Sequence, residues 1–165
     1  MRKLELILIR HGESQANAGL SADPDSSLTP HGTEQSRALA QRLRLLGIDK
    51  QFQGIVSPYH RARQTAAEIT DATGVEFEID DLVREWGAPC TIGGRSFPAE
   101  GQDELVARIQ KFFAQRDGRL LVVSHGSPIG LMTQLALGRP PSQIEPSLWI
   151  GVENCCLRWM IAPLE

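Results

Sequence analysis

The apolar residues of this chain recur with two different periods. Short continuous apolar runs are typical of strands buried on both faces, whereas an apolar residue at every third or fourth position is typical of amphipathic helices. The predicted strands are residues 4–9, 54–57, 75–79, 120–124 and 155–161. The predicted helices are residues 33–46, 61–72, 100–115 and 128–137. Because strand-like and helix-like segments alternate, the pattern predicts an α/β layer architecture.

Three predicted helix starts contain a hydroxyl residue followed by proline, namely Thr29-Pro30, Ser57-Pro58 and Ser127-Pro128. A hydroxyl side chain caps a helix, and proline is well tolerated at the first helical position because the N–H it lacks has no partner there. Two of these starts directly follow predicted strands. We therefore expect their free N–H groups to face the point where the strands end and to form a seat for phosphate.

Composition places the chain among globular proteins of ordinary size. Its 165 residues are 41% apolar and 22% charged, which predicts a single domain over residues 1–165. The net charge of -3 argues against general binding of nucleic acid. No apolar stretch approaches the roughly 20 residues of a membrane helix, and no signal peptide is recognisable. We therefore expect neither a membrane nor a nucleic acid as a partner.

The three cysteines form neither a disulfide framework nor a metal-binding motif. Cys155 and Cys156 are adjacent in a predicted strand, where neighbouring side chains point to opposite faces. Cys90 is predicted to be a small loop residue, with a reactive thiol as the alternative. This use of cysteine fits a reducing, cytoplasmic setting.

Two histidine–glycine pairs stand where predicted strands end. His11-Gly12 follows the first strand, and His125-Gly126 follows residues 120–124. Ligands of open α/β sheets bind outside the carboxyl ends of the strands, so both imidazoles are expected at one site. Arg10, the neighbour of His11, suits an anionic substrate. The pattern is typical of phosphoryl transfer with histidine as the nucleophile.

Phosphoryl transfer without a metal or a Walker loop needs a nucleophile, cations for the non-bridging oxygens and an acid for the leaving oxygen. The nucleophile would be His11. The candidate cations are Arg10, Arg61 and His125. On spacing alone, both Glu13 and Glu85 are candidates for the acid.

Five segments of the chain resemble one family in the same order. Arg10-His11-Gly12-Glu13-Ser14 followed by Asn17 resembles the signature of the histidine phosphatase superfamily, the phosphoglycerate mutase-like proteins. The other four segments are Leu28-Thr29 with Gly32 and Gln35, Ser57-Pro58-Tyr59-His60-Arg61-Ala62-Arg63-Gln64-Thr65-Ala66, Leu82-Val83-Arg84-Glu85, and Val122-Val123-Ser124-His125-Gly126. The resemblance implies a three-layer α/β/α sandwich with a mostly parallel central sheet.

The resemblance also implies a division of roles without metal or cofactor. His11 would attack phosphorus and become phosphohistidine, and Glu85 would protonate the leaving alcohol and then deprotonate the attacking water. The phosphoryl oxygens would be held by Arg10, Asn17, Arg61 and His125. Nearby arginines favour a neutral His11, but they oppose the protonated Glu85 that desolvation by Trp86 favours. That balance stays open. Glu13 is then expected to be structural, orienting an arginine.

The chain departs from the family in its lid, which is short and spans about residues 86–99. A short lid predicts an open, shallow pocket, which suits a phosphatase better than a mutase that must exclude water. We therefore expect hydrolysis of phosphomonoesters on a small molecule or phosphoprotein. The alternatives are a phosphohistidine protein phosphatase, a phosphoglycerate mutase and a weakly active phospho-ligand binding module. Arg95 is expected to be a solvated loop residue, with recognition of a second anionic group as the alternative.

Overall fold

The computed structural model describes residues 2–143 and 152–164. In chain order the strands are β1 (Arg2–Arg10), β2 (Gln53–Val56), β3 (Phe77–Ile79), β4 (Cys90–Ile92), β5 (Arg95–Phe97), β6 (Gly118–Ser124) and β7 (Leu157–Leu164). The helices are α1 (Pro30–Leu45), α2 (His60–Thr73), α3 (Gln102–Ala114) and α4 (Gly126–Ala136), with short 3-10 turns at Asp81–Val83 and Pro141–Gln143. None of the helices described is both long and apolar enough to cross a bilayer.

Five strands form the central sheet in the order β3-β2-β6-β1-β7. The first four are mutually parallel, and β7 lies antiparallel to β1, so the expected mostly parallel sheet is confirmed. Strand β6 lies between β1 and β2 although it comes much later in the chain. Its register pairs Arg10 with Ser124, which brings the ends of β1 and β6 to the same edge of the sheet.

Each face of the sheet is covered by a pair of helices, which confirms the three-layer sandwich. In β1, Ile7 and Ile9 pack in the cluster formed with α1 and α2. Leu6 and Leu8 point to the opposite face and pack with α3 and α4. Successive side chains of a strand alternate between faces, so a strand buried on both sides has to be apolar throughout.

One of the three predicted hydroxyl–proline helix starts is confirmed. Thr29 caps α1, because its hydroxyl accepts a hydrogen bond from the N–H of Gly32 at 2.9 Å and Pro30 begins the helix. The prediction for Ser57-Pro58 is wrong, since α2 begins at His60 and no side chain caps it. The hydroxyl of Ser57 instead contacts the buried ring of His125.

The prediction for Ser127-Pro128 is wrong as well. Helix α4 begins earlier, at Gly126, with His125 at the capping position. Pro128 then lies in the first helical turn, where N–H groups have no partner within the helix, so proline interrupts nothing. The helix therefore starts immediately at the end of β6, and its first turn lies next to His125.

The lid contains a hairpin that the apolar pattern did not predict. Strands β4 and β5 pair around Gly93 and Gly94, whose φ angles are 56° and 78°. Two positive φ values in a two-residue turn are typical of tight hairpins, and glycine adopts them without strain. The Gly-Gly pair was the local signal for this turn. Cys90, predicted to be a loop residue, lies in β4.

The last strand begins two residues later than predicted. Cys155 has a φ of 53°, which interrupts the extended backbone, so Cys155 and Cys156 precede β7. The two side chains still pack against opposite layers, with Cys155 on the α1–α2 side and Cys156 on the α3–α4 side.

Candidate active site

His11 and His125 meet at the carboxyl edge of the sheet, as the sequence predicted. Their ring centroids lie 5.0 Å apart and the rings meet edge to face at 66°. Both side chains are buried, with exposed fractions of 2% and 0%. The parallel pairing of β1 with β6 produces this meeting, because each histidine directly follows the last residue of its strand.

Arg61 joins the two rings. Its Nε donates to Nε2 of His11 at 2.9 Å, and its Nη2 lies 3.2 Å from Nδ1 of His125. Its Nη1 donates to the carbonyl of Pro24 at 2.6 Å, and the ring of Tyr59 lies 4.4 Å from its guanidinium carbon. Since an arginine only donates, both ring nitrogens that face it must be acceptors. The predicted convergence of Arg61 with the two histidines is thus present.

The backbone of Gly12 selects the tautomer of His11. Nδ1 of His11 lies 2.6 Å from the carbonyl of Gly12, so Nδ1 carries the proton and Nε2 carries the lone pair. The N–H of Gly12 donates to the hydroxyl of Thr65 at 3.1 Å, which fixes this peptide. A Cβ at position 12 would lie 2.3 Å from the carbonyl oxygen of Gly32, so only glycine fits there. The arrangement presents Nε2 as a nucleophile.

Ser57 fixes the opposite tautomer in the second histidine. The hydroxyl of Ser57 lies 2.7 Å from Nε2 of His125, and both residues are fully buried. Because Nδ1 accepts from Arg61, Nε2 carries the proton and donates to Ser57. Ser57 and Thr65 are functional residues that reasoning from single residues missed, although both lie in the segment that carried the family resemblance.

Both imidazoles are neutral because of their surroundings. Burial is the main cause that lowers the pKa of His11 from 6.5 to about 3, and the charges of Arg61 and Arg10 add to it. Burial and the charge of Arg61 also hold the pKa of His125 well below its usual range. The neutral His11 expected from the neighbouring arginines is therefore present, but desolvation contributes more than their charge does.

Glu85 lies beside His125, and the balance left open above falls on the side of burial. Its Oε2 is 3.9 Å from Nδ1 of His125. Burial raises the pKa of this carboxyl, and it outweighs the backbone N–H of Trp86, which donates to Oε1 at 3.1 Å, and the charges of Arg61 and Arg10. Its side chain keeps 28% of its surface exposed, so water and a substrate can reach it. These are the properties of an acid that can exchange protons with a bound molecule.

Arg10 lies at the end of β1, and its guanidinium has one nitrogen that is hydrogen-bonded and one that is not. Its Nη1 donates to the carbonyl of Val152, and its buried Nε has no hydrogen-bond partner. Burial lowers its pKa, and the charge of Glu85 opposes that effect. A buried guanidinium with an unused donor is suited to bind an anion.

Asn17 is connected to the backbone of His11, through Asn154, and not to the imidazole of His11. The Oδ1 of Asn17 accepts from the N–H of Ser14 at 3.2 Å and from Nδ2 of Asn154 at 3.3 Å. Asn154 also donates to the carbonyl of His11 at 2.9 Å. With Oδ1 occupied, Asn17 presents its amide nitrogen as a donor. The sequence contained no signal for Asn154.

Two other predicted residues are engaged elsewhere. Glu13 is structural, as expected, but its partner is not an arginine: its Oε1 accepts from the hydroxyl of Thr29 at 2.7 Å and so supports the start of α1. Arg95 is exposed as expected, but it begins β5 and does not lie in a loop, and it forms two hydrogen bonds of 2.8 Å with Asp81. The thiol of Cys90 lies 3.2 Å from the hydroxyl of Tyr59.

Comparison with known proteins agrees with this geometry. The model of the histidine phosphatase superfamily (branch 1) matches residues 6–104 of the chain. The chain is 33% identical to a probable phosphoglycerate mutase GpmB of Enterobacter sp. (strain 638), with 83% of this chain and 76% of that protein covered.

Solved structures share the fold. A putative alpha-ribazole-5'-P phosphatase from Escherichia coli superposes with a TM-score of 0.74 at 23% identity, covering 97% of this chain and 90% of that chain. The protein histidine phosphatase SixA, complexed with tungstate, superposes with a TM-score of 0.56 at 21% identity, covering 81% and 76%.

Proposed function

This chain belongs to the histidine phosphatase superfamily, and from that premise we propose that it is a metal-independent phosphatase that hydrolyses phosphomonoesters through a phosphohistidine on His11. One observation carries the proposal: the lone pair of His11 Nε2 faces Arg61, 2.9 Å away, and the ring of His125 lies 5.0 Å from that of His11. A neutral nucleophile next to fixed cations is what attack on a phosphate dianion requires.

In the first step Nε2 of His11 attacks phosphorus, and the bond from phosphorus to the leaving oxygen breaks. Glu85, in the protonated form that burial favours by raising its pKa, gives its proton to that oxygen. The alcohol leaves without developing the full charge of an alkoxide. The proton on Nδ1 of His11 stays hydrogen-bonded to the carbonyl of Gly12, which stabilises the positive charge of the phosphorylated ring.

In the second step Glu85, now a carboxylate, takes a proton from a water molecule. The oxygen of that water attacks phosphorus, the bond from phosphorus to Nε2 breaks, and inorganic phosphate leaves. Glu85 is protonated again and His11 returns to its neutral form. The partial exposure of Glu85 gives water a route to the intermediate.

The phosphoryl oxygens would be held by Arg10, Asn17, Arg61 and His125. Charge-assisted hydrogen bonds to phosphate are stronger than the bond from Arg61 to a neutral imidazole, so a bound phosphoryl group would draw the Arg61 donors away from His11. The dianion would also favour protonation of His125, because an opposite charge nearby raises the pKa of an imidazole.

The name of the bacterial relative favours phosphoglycerate mutase as a second candidate. A mutase has to shield its phosphohistidine from water. The hairpin in this lid has two strands of only three residues each, and so short a lid favours a phosphatase over a mutase. A protein phosphohistidine phosphatase is the other alternative. Its imidazole leaving group needs a proton less than an alkoxide does, so the presence of Glu85 favours phosphomonoesters.

The proposed intermediate can be trapped. A radiolabelled phosphomonoester, mixed with the enzyme and quenched rapidly, should leave label on the protein that is stable to alkali and lost in acid. The His11→Ala variant should not be labelled, whereas His31→Ala, an exposed histidine on α1, should be labelled normally. Label that persists in His11→Ala would overturn the mechanism. Isomerisation of phosphoglycerates faster than phosphate release would support the mutase instead.

The compartment and the natural partner belong to the same proposal. All three cysteines are free thiols, which fits the reducing cytoplasm. The substrate would be a phosphorylated small molecule or the phosphorylated side chain of a protein.

A further inference from the structure

The arginines near the two histidines fall into two groups. The charges of Arg10 and Arg61 lower the pKa of both His11 and His125, Arg108 adds a smaller effect on His125, and no carboxylate of the described residues binds Arg10 or Arg61. The second group comprises Arg84, Arg95 and Arg108, which lie in or beneath the segment that follows β3. Each member of the second group is bound by a carboxylate of the protein. This division determines which charges a substrate can use.

Arg95 is the most exposed member of the second group, and its charge is already neutralised. Its two terminal nitrogens each donate to one oxygen of Asp81 at 2.8 Å, a bidentate pair. The ring of Phe97 lies 5.5 Å from its guanidinium carbon and supports it. A substrate carboxylate would have to replace a partner that already has the preferred planar geometry.

Arg84 and Arg108 share the carboxylate of Glu100. Arg108 donates to Glu100 through Nε at 2.7 Å and through Nη2 at 2.6 Å, and Arg84 donates to it at 3.1 Å. Nη1 of Arg108 also donates to the carbonyl of Leu82. The three side chains are 6%, 7% and 15% exposed for Arg108, Glu100 and Arg84. Withdrawing either arginine toward a substrate would break a buried, hydrogen-bonded ion pair with Glu100, which is costly.

Other cations among the described side chains are placed differently. Lys50 and Arg119 are near the beginning of β2 and β6, at the opposite edge of the sheet. Arg158, near the start of β7, donates to the hydroxyl of Thr133 on α4 at 3.0 Å. Arg63 lines a groove with Val56, Glu76 and Phe77 along the outer strands. Residues 144–151 contain neither lysine nor arginine. Among the side chains that the structure describes, Arg10 and Arg61 are therefore the two arginines of the site that no carboxylate binds.

We infer that the substrate is a phosphomonoester whose remaining part carries no negative charge. The inference rests on the phosphatase function proposed above and narrows its substrate class. A phosphate dianion takes both free arginines, so a second anionic group would lie near Glu85 and the lid without a cation to pair with. A neutral alcohol, sugar or nucleoside group meets no such penalty, whereas the carboxylate of a phosphoglycerate does.

A matched pair of substrates tests the inference. Glycerol 3-phosphate ends in a hydroxymethyl group where 3-phosphoglycerate has a carboxylate, and the two are otherwise alike. We expect kcat/KM to be at least about tenfold higher for glycerol 3-phosphate than for 3-phosphoglycerate, because the carboxylate of the latter would be bound without a cationic partner. The same or a higher kcat/KM for 3-phosphoglycerate would overturn the inference. Nitrophenyl phosphate serves as a reference: if it releases no phosphate and leaves no label on His11, the phosphatase proposal itself fails and the inference falls with it.

Two variants distinguish the effect of neutralising Arg95 in the lid from the effect of releasing an arginine elsewhere on the surface. Asp81→Asn removes the carboxylate that neutralises Arg95, so the preference for glycerol 3-phosphate over 3-phosphoglycerate should narrow by about threefold or more. Glu68→Gln releases Arg37 on the outer face of α1 and α2 and should leave the preference unchanged. An equal change in both variants, or none in Asp81→Asn, would contradict the idea that paired lid arginines exclude anions.

Discussion

The Nε of Arg61 lies 2.9 Å from Nε2 of His11 and donates to the one ring nitrogen through which this imidazole can attack phosphorus. Its Nη2 contacts His125 at the same time, and its Nη1 is held by the carbonyl of Pro24. One side chain therefore orients the nucleophile, contributes to its low pKa and provides donors for a phosphoryl group. The geometry makes Arg61 the residue on which the two histidines most directly depend.

Replacing Arg61 by lysine should reduce kcat/KM for nitrophenyl phosphate by at least about a hundredfold, because an ammonium cannot reach His11, His125 and Pro24 together. In Arg61→Ala the pKa of His11, followed by NMR, should rise above about 3 and stay below 6.5, since burial remains. Arg63→Ala, on the exposed side of α2, is the control and should have nearly normal activity. Near-normal kcat/KM in Arg61→Lys would contradict this role.

The rate should fall as pH rises through the pKa of Glu85. That pKa is raised by burial, so the protonated acid persists to a higher pH than an ordinary carboxyl would allow, and activity is lost when it ionises. Glu85→Gln should remove this fall of the rate with rising pH, the basic limb of the pH–rate profile. It should also lower kcat for an alkyl phosphate by a factor on the order of 100 or more, with a smaller loss for nitrophenyl phosphate, whose leaving group needs no proton. Glu13→Gln should retain the limb. If Glu13→Gln abolishes it instead, the acid has been assigned to the wrong glutamate.

Acid should destabilise the fold through His11. Above pH 6.5 the residue is neutral in both the folded and the unfolded chain, so it contributes nothing to the pH dependence. Below pH 6.5 His11 binds a proton in the unfolded chain, whereas in the folded chain it stays neutral down to about pH 3. The free energy of unfolding therefore falls as the pH falls. The slope is at most about 1.4 kcal/mol per pH unit.

Denaturant titrations between pH 6.5 and 5 can measure this slope. The free energy of unfolding should depend less steeply on pH in His11→Asn than in the parent chain. His31→Asn, which changes an exposed histidine, should retain the parent slope. Identical slopes in all three proteins would show that His11 is not held neutral by burial.

Removing the hydroxyl of Thr65 should affect both stability and rate. Thr65→Val leaves the buried N–H of Gly12 without an acceptor, which should cost about 1–3 kcal/mol of unfolding free energy. The peptide of Gly12 also holds the tautomer of His11, so kcat should fall by about tenfold. Thr33→Val removes a hydroxyl that donates to the carbonyl of Thr29, the residue that caps α1, and should change kcat little. Thr65→Ser should restore activity, and a fully active Thr65→Val would exclude the positioning role.

The buried carboxylate of Glu100 should be important for stability. Glu100→Gln leaves Arg84 and Arg108 without their shared negative partner and should lower the unfolding free energy by about 3–5 kcal/mol. Glu68→Gln breaks the exposed pair with Arg37 and should cost less than about 1 kcal/mol. Both values can be measured by denaturant unfolding, and equal losses would contradict the difference in burial.

Local patterns predicted most of the secondary structure because they depend on near neighbours. The continuous apolar runs at β1 and β6 identified strands covered on both faces, and Thr29-Pro30 identified the start of α1. The same local rule failed at Ser57, where a tertiary partner, the ring of His125, engages the hydroxyl that would otherwise cap a helix. A capping hydrogen bond is weak enough for such a contact to replace it.

The sequence by itself determined the α/β class, the strands that end at His11 and His125, and the residue types available there for phosphoryl chemistry. Tertiary structure alone decided which nitrogen of His11 keeps its lone pair, that Glu85 has a raised pKa, and that Arg95 is paired with Asp81. The physical reason is one of range. Apolar periodicity acts between residues a few positions apart, whereas desolvation and the contacts of Arg61 involve partners 50 and 64 positions distant, which no local pattern records.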